Sequence, residues 1–278
     1  MNEYLKGNRE HWDELVPIHL KSEFYDVEGF KSGKSGLNAV ELDEVGDVSS
    51  KSLLHLQCHF GLDTLSWARM GARVTGVDFS GRAIELARSL SKELEIDARF
   101  VLSDVYDLPN ALDERFDIVF TSYGVLYWLP DIKGWAKTVS HCLKADGIFY
   151  IVESHPFSHV FDDEDATDLR YRHPYFHRPE PMVLEPDGKG SYADPNATVA
   201  TTEYGWNHSM GDIVNALISA GLRIEFLHEF AHGAYRQFPF MDRGDDGLWR
   251  LKNYRDDVPL MFSLKATRPD RPAAARWQ

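Results

Sequence analysis

Groups able to do chemistry gather in four short stretches, each closing an aliphatic run: Gln57-Cys58-His59-Phe60-Gly61, Asp78-Phe79-Ser80, Ser103-Asp104-Val105 and Thr121-Ser122-Tyr123-Gly124. A carboxylate at the tip of a buried strand, where Asp78 falls, can accept charge-assisted hydrogen bonds from ligand hydroxyls, each worth roughly 1.5–3 kcal/mol. The same carboxylate could instead cap a helix beginning near Ser80. Gln57 and His59 can donate hydrogen bonds from a loop, and Gly61 supplies a permissive backbone. His155 and His208 offer imidazoles that titrate near neutrality, the natural bases for an acceptor group, although each could equally be an ordinary loop residue. His155 and His159, then His173 and His177, repeat an H-x3-H spacing beside Asp162, Asp163, Glu164 and Asp165. Such pairs can chelate zinc from one helix face. Pro156 and Pro174 break that geometry, however, and acidic loops with scattered histidines are usually solvated, so no metal is expected.

The elements that must position these groups alternate short apolar runs with helical patterns, the signature of βαβ units around a parallel sheet. Strands are predicted at Ser52–Leu56, Arg73–Val77, Ala98–Leu102, Phe116–Thr121 and Gly147–Val152. Leu62, Leu65, Trp67 and Ala68 suit a helix ended by Gly71, and Ile84, Ala87, Leu90 and Leu94 a second one capped by Ser80. Asp131 can cap a third, carrying Ile132, Trp135, Val139 and Leu143 to a turn at Asp146-Gly147. About 55 residues rich in His, Pro, Asp and aromatics follow, too long for an ordinary connection. Its many large aromatics favour an ordered cap, since disordered segments are poor in them. A helix over 209–220, a strand near 223–229, an irregular stretch and a last strand near 259–266 complete the pattern. Helices are expected around Trp12, Leu15 and Val16 and near 37–45, and the tail after Thr267 is read as frayed. The organisation is thus a helical cover at 1–50, an α/β core at 51–153, a cap insertion at 154–207 and completion of the core at 208–278.

Composition narrows the partners. Thirty lysines and arginines against 44 aspartates and glutamates give a formal net charge of −14, a field that repels phosphate backbones and anionic lipid. Neither nucleic acid nor membrane is expected as a partner. No run approaches the roughly 20 apolar residues a spanning helix needs. Two cysteines in dissimilar surroundings and an N-terminus without an apolar leader point to a reduced, cytoplasmic protein.

The order of these motifs resembles the class I S-adenosylmethionine-dependent methyltransferases. The run Leu53 to Thr64 is similar to the family's first motif, an aliphatic strand, an acidic residue and Gly-x-Gly-x-Gly, with Asp78 as the acid after the second strand. Phe116 to Leu126 resembles the fourth motif, and Leu143-Lys144-Ala145-Asp146-Gly147 the turn before strand five. The resemblance implies a doubly wound, Rossmann-like seven-stranded sheet with its last strand antiparallel, and methyl transfer from S-adenosylmethionine to a small-molecule acceptor. It implies that Asp78 and Phe79 meet the ribose, that Ser103, Asp104 and Val105 meet the adenine, and that Tyr123 faces the methyl group on both the cofactor and the catalytic side. Tyr25 could close over the cofactor, or simply pack. One departure stands out: Gln57 and His59 occupy the places of the first two glycines, and His55 that of the acid. Either the pocket has lost the cofactor, or Gln57 and His59 hold its methionine end, and the second reading is preferred because Asp78 and Asp104 remain. A non-catalytic binding protein is the alternative. A nicotinamide oxidoreductase fits poorly, because the loop lacks Gly-x-Gly-x-x-Gly.

Overall fold

Strands buried on both faces need helices on both sides, and this requirement organises the chain. The computed structural model describes residues 3–165, 167–254 and 256–270. In chain order the elements are α1 (Glu3–His19), α2 (Val27–Lys31), α3 (Ala39–Val45), β1 (Ser52–Leu56), α4 (Leu62–Arg69), β2 (Arg73–Asp78), α5 (Gly81–Glu93), β3 (Ala98–Leu102), α6 (Leu108–Ala111), β4 (Phe116–Ser122), α7 (Ile132–Cys142) and β5 (Leu143–Ser154). There follow β6 (Met182–Leu184), β7 (Glu203–Gly205), α8 (Met210–Ser219), β8 (Arg223–Phe230), β9 (Met241–Arg243), β10 (Trp249–Leu251) and β11 (Met261–Thr267).

The main sheet has seven strands in the order β3-β2-β1-β4-β5-β11-β8. Strands β1 to β5 run parallel, while β11 lies antiparallel between β5 and β8. Strand order reverses between β1 and β4, so their carboxyl ends open the crevice where ligands bind in such sheets. One face packs Trp135 and Val139 of α7 and Leu217 of α8 against Phe149 and Leu264. The other buries Trp67 of α4 on Phe120 and Tyr150. A third cluster joins Phe30 of α2, Phe60, Leu65 of α4 and Ile84 of α5 to Phe100.

Two differences from the sequence pattern have local causes. Strand β5 begins at Leu143 rather than Gly147, because Asp146 takes a left-handed φ of 56° and bends the strand without ending it. The stretch between 229 and 259, expected to be irregular, contains the β9–β10 hairpin, whose core of Phe238, Phe240, Met241 and Leu251 is joined by Leu260 and packed against by Phe161 of the insertion. The tail expected to fray lies, beyond Asp270, outside the described residues.

Candidate active site

The β1–α4 loop is built from three left-handed residues, Gln57 (φ 55°), His59 (φ 50°) and Gly61 (φ 82°). At Gly61 no side chain fits: a Cβ would lie 2.6 Å from Phe100 Cε1 and 3.3 Å from Ala87 Cβ. At the other two positions there is room, at a backbone cost of about 1–2 kcal/mol each. Gln57 Nε2 donates to the Val125 carbonyl at 3.1 Å, and His59 Nε2 lies 3.1 Å from His19 Nδ1, whose ring reaches on to Ser191 Oγ at 3.1 Å. Gln57 Oε1 and His59 Nδ1 are left buried without a hydrogen-bond partner. Burial, and then the neighbouring His19, hold the His59 imidazole well below its usual pKa.

Asp78 ends β2 and is 7% exposed. Its Oδ2 accepts from His59 N and its Oδ1 from Ser80 N, both at 2.8 Å, while Ser80 Oγ caps α5 by accepting from Ala83 N. The helix cap is therefore Ser80, and the Asp78 carboxylate ties the glycine-poor loop to β2. Burial pushes its pKa up to about 6. Next along the strand ends, Asp104 Oδ1 accepts from Tyr106 N and Asp107 N at 2.9 Å each, and Ser103 Oγ donates to the Asp104 carbonyl. Phe79, Ser103, Asp104 and Val105 line the same cavity as Gln57, His59, Gly61 and Asp78, a space of about 1060 Å³.

Tyr123 follows β4 at φ 30° and also lines the cavity. Its hydroxyl donates to Glu41 Oε2 at 2.9 Å and accepts from Asn38 Nδ2 at 3.0 Å. Three carboxylates absent from the sequence reading shape this floor. Glu153, 3% exposed, accepts the backbone N–H groups of Gly124, Val125, Leu126 and Ser154 and so moulds the turn after β4. Burial raises the pKa of Glu41 and takes that of Asp63 to about 7, with Glu41 the second cause for Asp63. Asp63 accepts from Ser122 Oγ at 3.0 Å, and Ser122 also meets His55 Nε2 at 3.3 Å. His55 itself is neutral, its pKa taken down to about 3 by burial. The acidic residue missing from β1 thus has a counterpart, Asp63, in the first turn of α4. A carboxylate in an apolar strand end, as at Glu153, is the signal that could have marked that residue, since a buried charge must recruit donors.

Three chain segments roof the cavity. Trp12 of α1 packs on His59 (centroids 5.1 Å apart) and on Trp128 (5.2 Å); Tyr25 lies 4.8 Å from Phe60 and hydrogen-bonds Tyr192 of the insertion; Tyr235 and Trp249 come from the β8–β11 connection. His155 and His208 do not line this cavity. Backbone pairing of His155 with Leu260 turns its ring outward to Glu229 Oε1 at 2.8 Å, and His208 Nε2 meets the Leu129 carbonyl at 2.7 Å with its ring stacked on His177. Among the described residues no three His, Cys, Asp or Glu side chains converge to hold a metal ion, and no helix is long and apolar enough to cross a membrane.

Residues 54–151 match the family model described as a methyltransferase domain. The chain is 30% identical over 146 residues to a ubiquinone biosynthesis O-methyltransferase from Alkalilimnicola ehrlichii, covering 50% of this chain and 59% of that protein. It is 27% identical over 132 residues to the Serratia proteamaculans enzyme of the same name, covering 46% and 54%. The chain thus spans little more than half the length of these relatives. An S-adenosylmethionine-dependent methyltransferase from Mesorhizobium loti shares its fold, with a TM-score of 0.56 at 20% identity over 86% of this chain and all of that one. In residues 54–151 the chain thus carries the match to a methyltransferase domain, and its strand order with the antiparallel β11 is a fold it shares with class I S-adenosylmethionine-dependent methyltransferases.

Proposed function

We propose that this chain transfers a methyl group from S-adenosylmethionine to a small-molecule acceptor. The observation that carries the reading is the pairing of a buried strand-tip carboxylate, Asp78, with two orphaned polar atoms, Gln57 Oε1 and His59 Nδ1, on one wall of a large cavity. Orphaned buried polar atoms are rare and call for a partner, and the two ends of the cofactor suit these groups. Asp78 and Phe79 hold the ribose; Ser103, Asp104 and Val105 border the adenine; Gln57, His59 and the Gly61 backbone hold the methionine end; Tyr123 stands at the methyl end. When bound, the cofactor supplies an electrophilic methyl group. The protein's own contribution is alignment of the acceptor and exclusion of water by the roof, which can lower a barrier by several kcal/mol. Proton removal falls to groups that line the cavity, and His155 and His208 stand behind its wall.

Calorimetry tests this directly. The protein should bind adenosylhomocysteine and not NAD, and Asp78→Ala should weaken adenosylhomocysteine by about 1.5–3 kcal/mol. The ionised carboxylate is the form that accepts ribose hydroxyls, so affinity should climb as pH rises through about 6 and level off above it, a dependence that Asp78→Asn removes. NAD binding, or unchanged affinity in Asp78→Ala, overturns the reading.

A further inference from the structure

The cavity continues past the cofactor loop along an unbroken aromatic wall. Trp12 meets His59 at one end and Trp128 at the other, Trp128 meets Tyr127 (5.2 Å) and stacks on His11 (5.6 Å), and His11 Nε2 lies 3.8 Å from Glu203 Oε2. Glu203, on β7, lines the cavity beside Tyr127 and Trp128. Its only charge-bearing neighbour within ion-pair distance, among the described residues, is His11, and burial keeps that imidazole neutral at physiological pH by lowering its pKa. Nine carboxylates against three lysines or arginines line the whole cavity, and of those three Lys34 is committed to Asp26 and Arg172 to Asp162. A carboxylate left without a cation in an aromatic recess is the complement of an ammonium group, which gains both from the charge and from the ring faces.

We propose that the end of the cavity walled by Trp12, Trp128 and Tyr127 and closed by Glu203 is a binding site for a cationic amine, which makes the methyl acceptor an amine. The inference rests on the methyltransferase reading above and names the acceptor class of that same site. In the transfer the bound ammonium first gives a proton to the Glu203 carboxylate, which passes it on to solvent, and the nitrogen lone pair so freed forms the bond to the methyl carbon as the carbon–sulfur bond breaks and the sulfur keeps the bonding electrons. The groups facing Glu203 are His11 of α1, Tyr127 after β4 and Asp163 of the insertion. Burial raises Glu203, opposed by the hydrogen bond from Tyr127 and helped by Asp163, to a pKa of about 7, near that of an effective base.

The test is calorimetry on the full chain with adenosylhomocysteine added first, then benzyltrimethylammonium, benzyldimethylamine, catechol or benzoate. The two amines should bind and benzoate should not. Glu203→Gln should weaken benzyltrimethylammonium at least tenfold and leave adenosylhomocysteine within twofold, while Glu203→Asp keeps part of the amine affinity. Affinity for the permanent cation should rise with pH through about 7 in the parent protein, because the ionised carboxylate is the binding form, and stay flat in Glu203→Gln. The pH series on the parent protein decides the matter even if the variants fail to fold. Catechol or benzoate binding in preference to the amines, or amine affinity indifferent to both Glu203 and pH, overturns the inference. Failure of adenosylhomocysteine to bind would instead overturn the methyltransferase reading, and the two failures are read in the same titration.

Discussion

The strand-end strip and the roof above it are built on different principles. In the strip, the carboxylates Asp78, at the end of β2, and Asp104, just after β3, hold the backbone of adjoining loops, through His59 N and Ser80 N to Asp78 and Tyr106 N to Asp104. In the roof, α1 bonds to residues remote in sequence, with Asn8 bonded to the backbone N–H and carbonyl of Tyr204 and Glu14 accepting from Ala200 N, Thr201 N and Thr201 Oγ1. The strip is therefore set by the sheet, and the roof by tertiary assembly. The difference teaches that cofactor recognition can stay constant in such a fold while the acceptor chamber is rebuilt from remote segments.

The largest expected effect comes from breaking the strip. Glu153→Gln turns an amide N–H₂ toward a set of four backbone N–H groups that now share one carboxylate, and like-polarity donors cannot satisfy one another. Destabilisation of roughly 2–4 kcal/mol is expected from the orphaned donors, visible as a lower urea midpoint with an unchanged slope. Adenosylhomocysteine affinity should fall with it, because the same turn carries the Val125 carbonyl that fixes Gln57. A variant of parental stability would show that the turn holds its shape without the carboxylate, and that the strip is less rigid than argued.

Breaking the roof should be milder and local. Asn8→Ala removes two hydrogen bonds from a fully buried side chain, a loss of about 1–3 kcal/mol. Hydrogen exchange should quicken around 199–205 and leave β1, β4 and β5 protected, since roof and sheet open separately. Equal acceleration in the central strands would mean that the two regions form one cooperative unit.

These regions also differ in how far the sequence reveals them. The parallel strands, the helices capped at Ser80 and Asp131, and the order of strand-end loops follow from periodicity and capping chemistry, and all recur in the structure. Cavity positions at Gln57, His59, Asp78, Asp104 and Tyr123 were legible for the same reason: motif order in a βαβ chain is spatial order along the sheet edge. His155 and His208 sit next to the right elements, yet side-chain direction there depends on pairing with Leu260 and Leu129, partners distant in sequence. Glu41, Asp63 and Glu203 were invisible because their significance lies in burial without a counter-charge, a property of the assembled roof and floor. The β9–β10 hairpin was missed because its strands are three residues each, too short to show alternation.

The smallest expected change in stability tests the sharpest sequence anomaly, the loss of two glycines from the β1–α4 loop. Gln57→Gly with His59→Gly would relieve two left-handed side-chain residues and remove two orphaned buried atoms, both favourable. Against this stand the loss of the Gln57–Val125 and His59–His19 hydrogen bonds and the greater freedom of glycine in the unfolded chain. These contributions nearly cancel, so stability should stay within about 1 kcal/mol of the parent. The His59 backbone N–H still meets Asp78, so the loop keeps its path and the ribose site survives. If, as proposed, Gln57 and His59 hold the methionine end, adenosylhomocysteine affinity should nevertheless fall about tenfold, on the order of one charge-assisted hydrogen bond. Exchange at 189–194 should quicken as well, since His19 loses His59 and its bond to Ser191 loses its anchor. Affinity that holds or rises in the double-glycine protein would mean that Gln57 and His59 are tolerated occupants of a glycine loop rather than cofactor ligands, leaving recognition to Asp78 and the backbone.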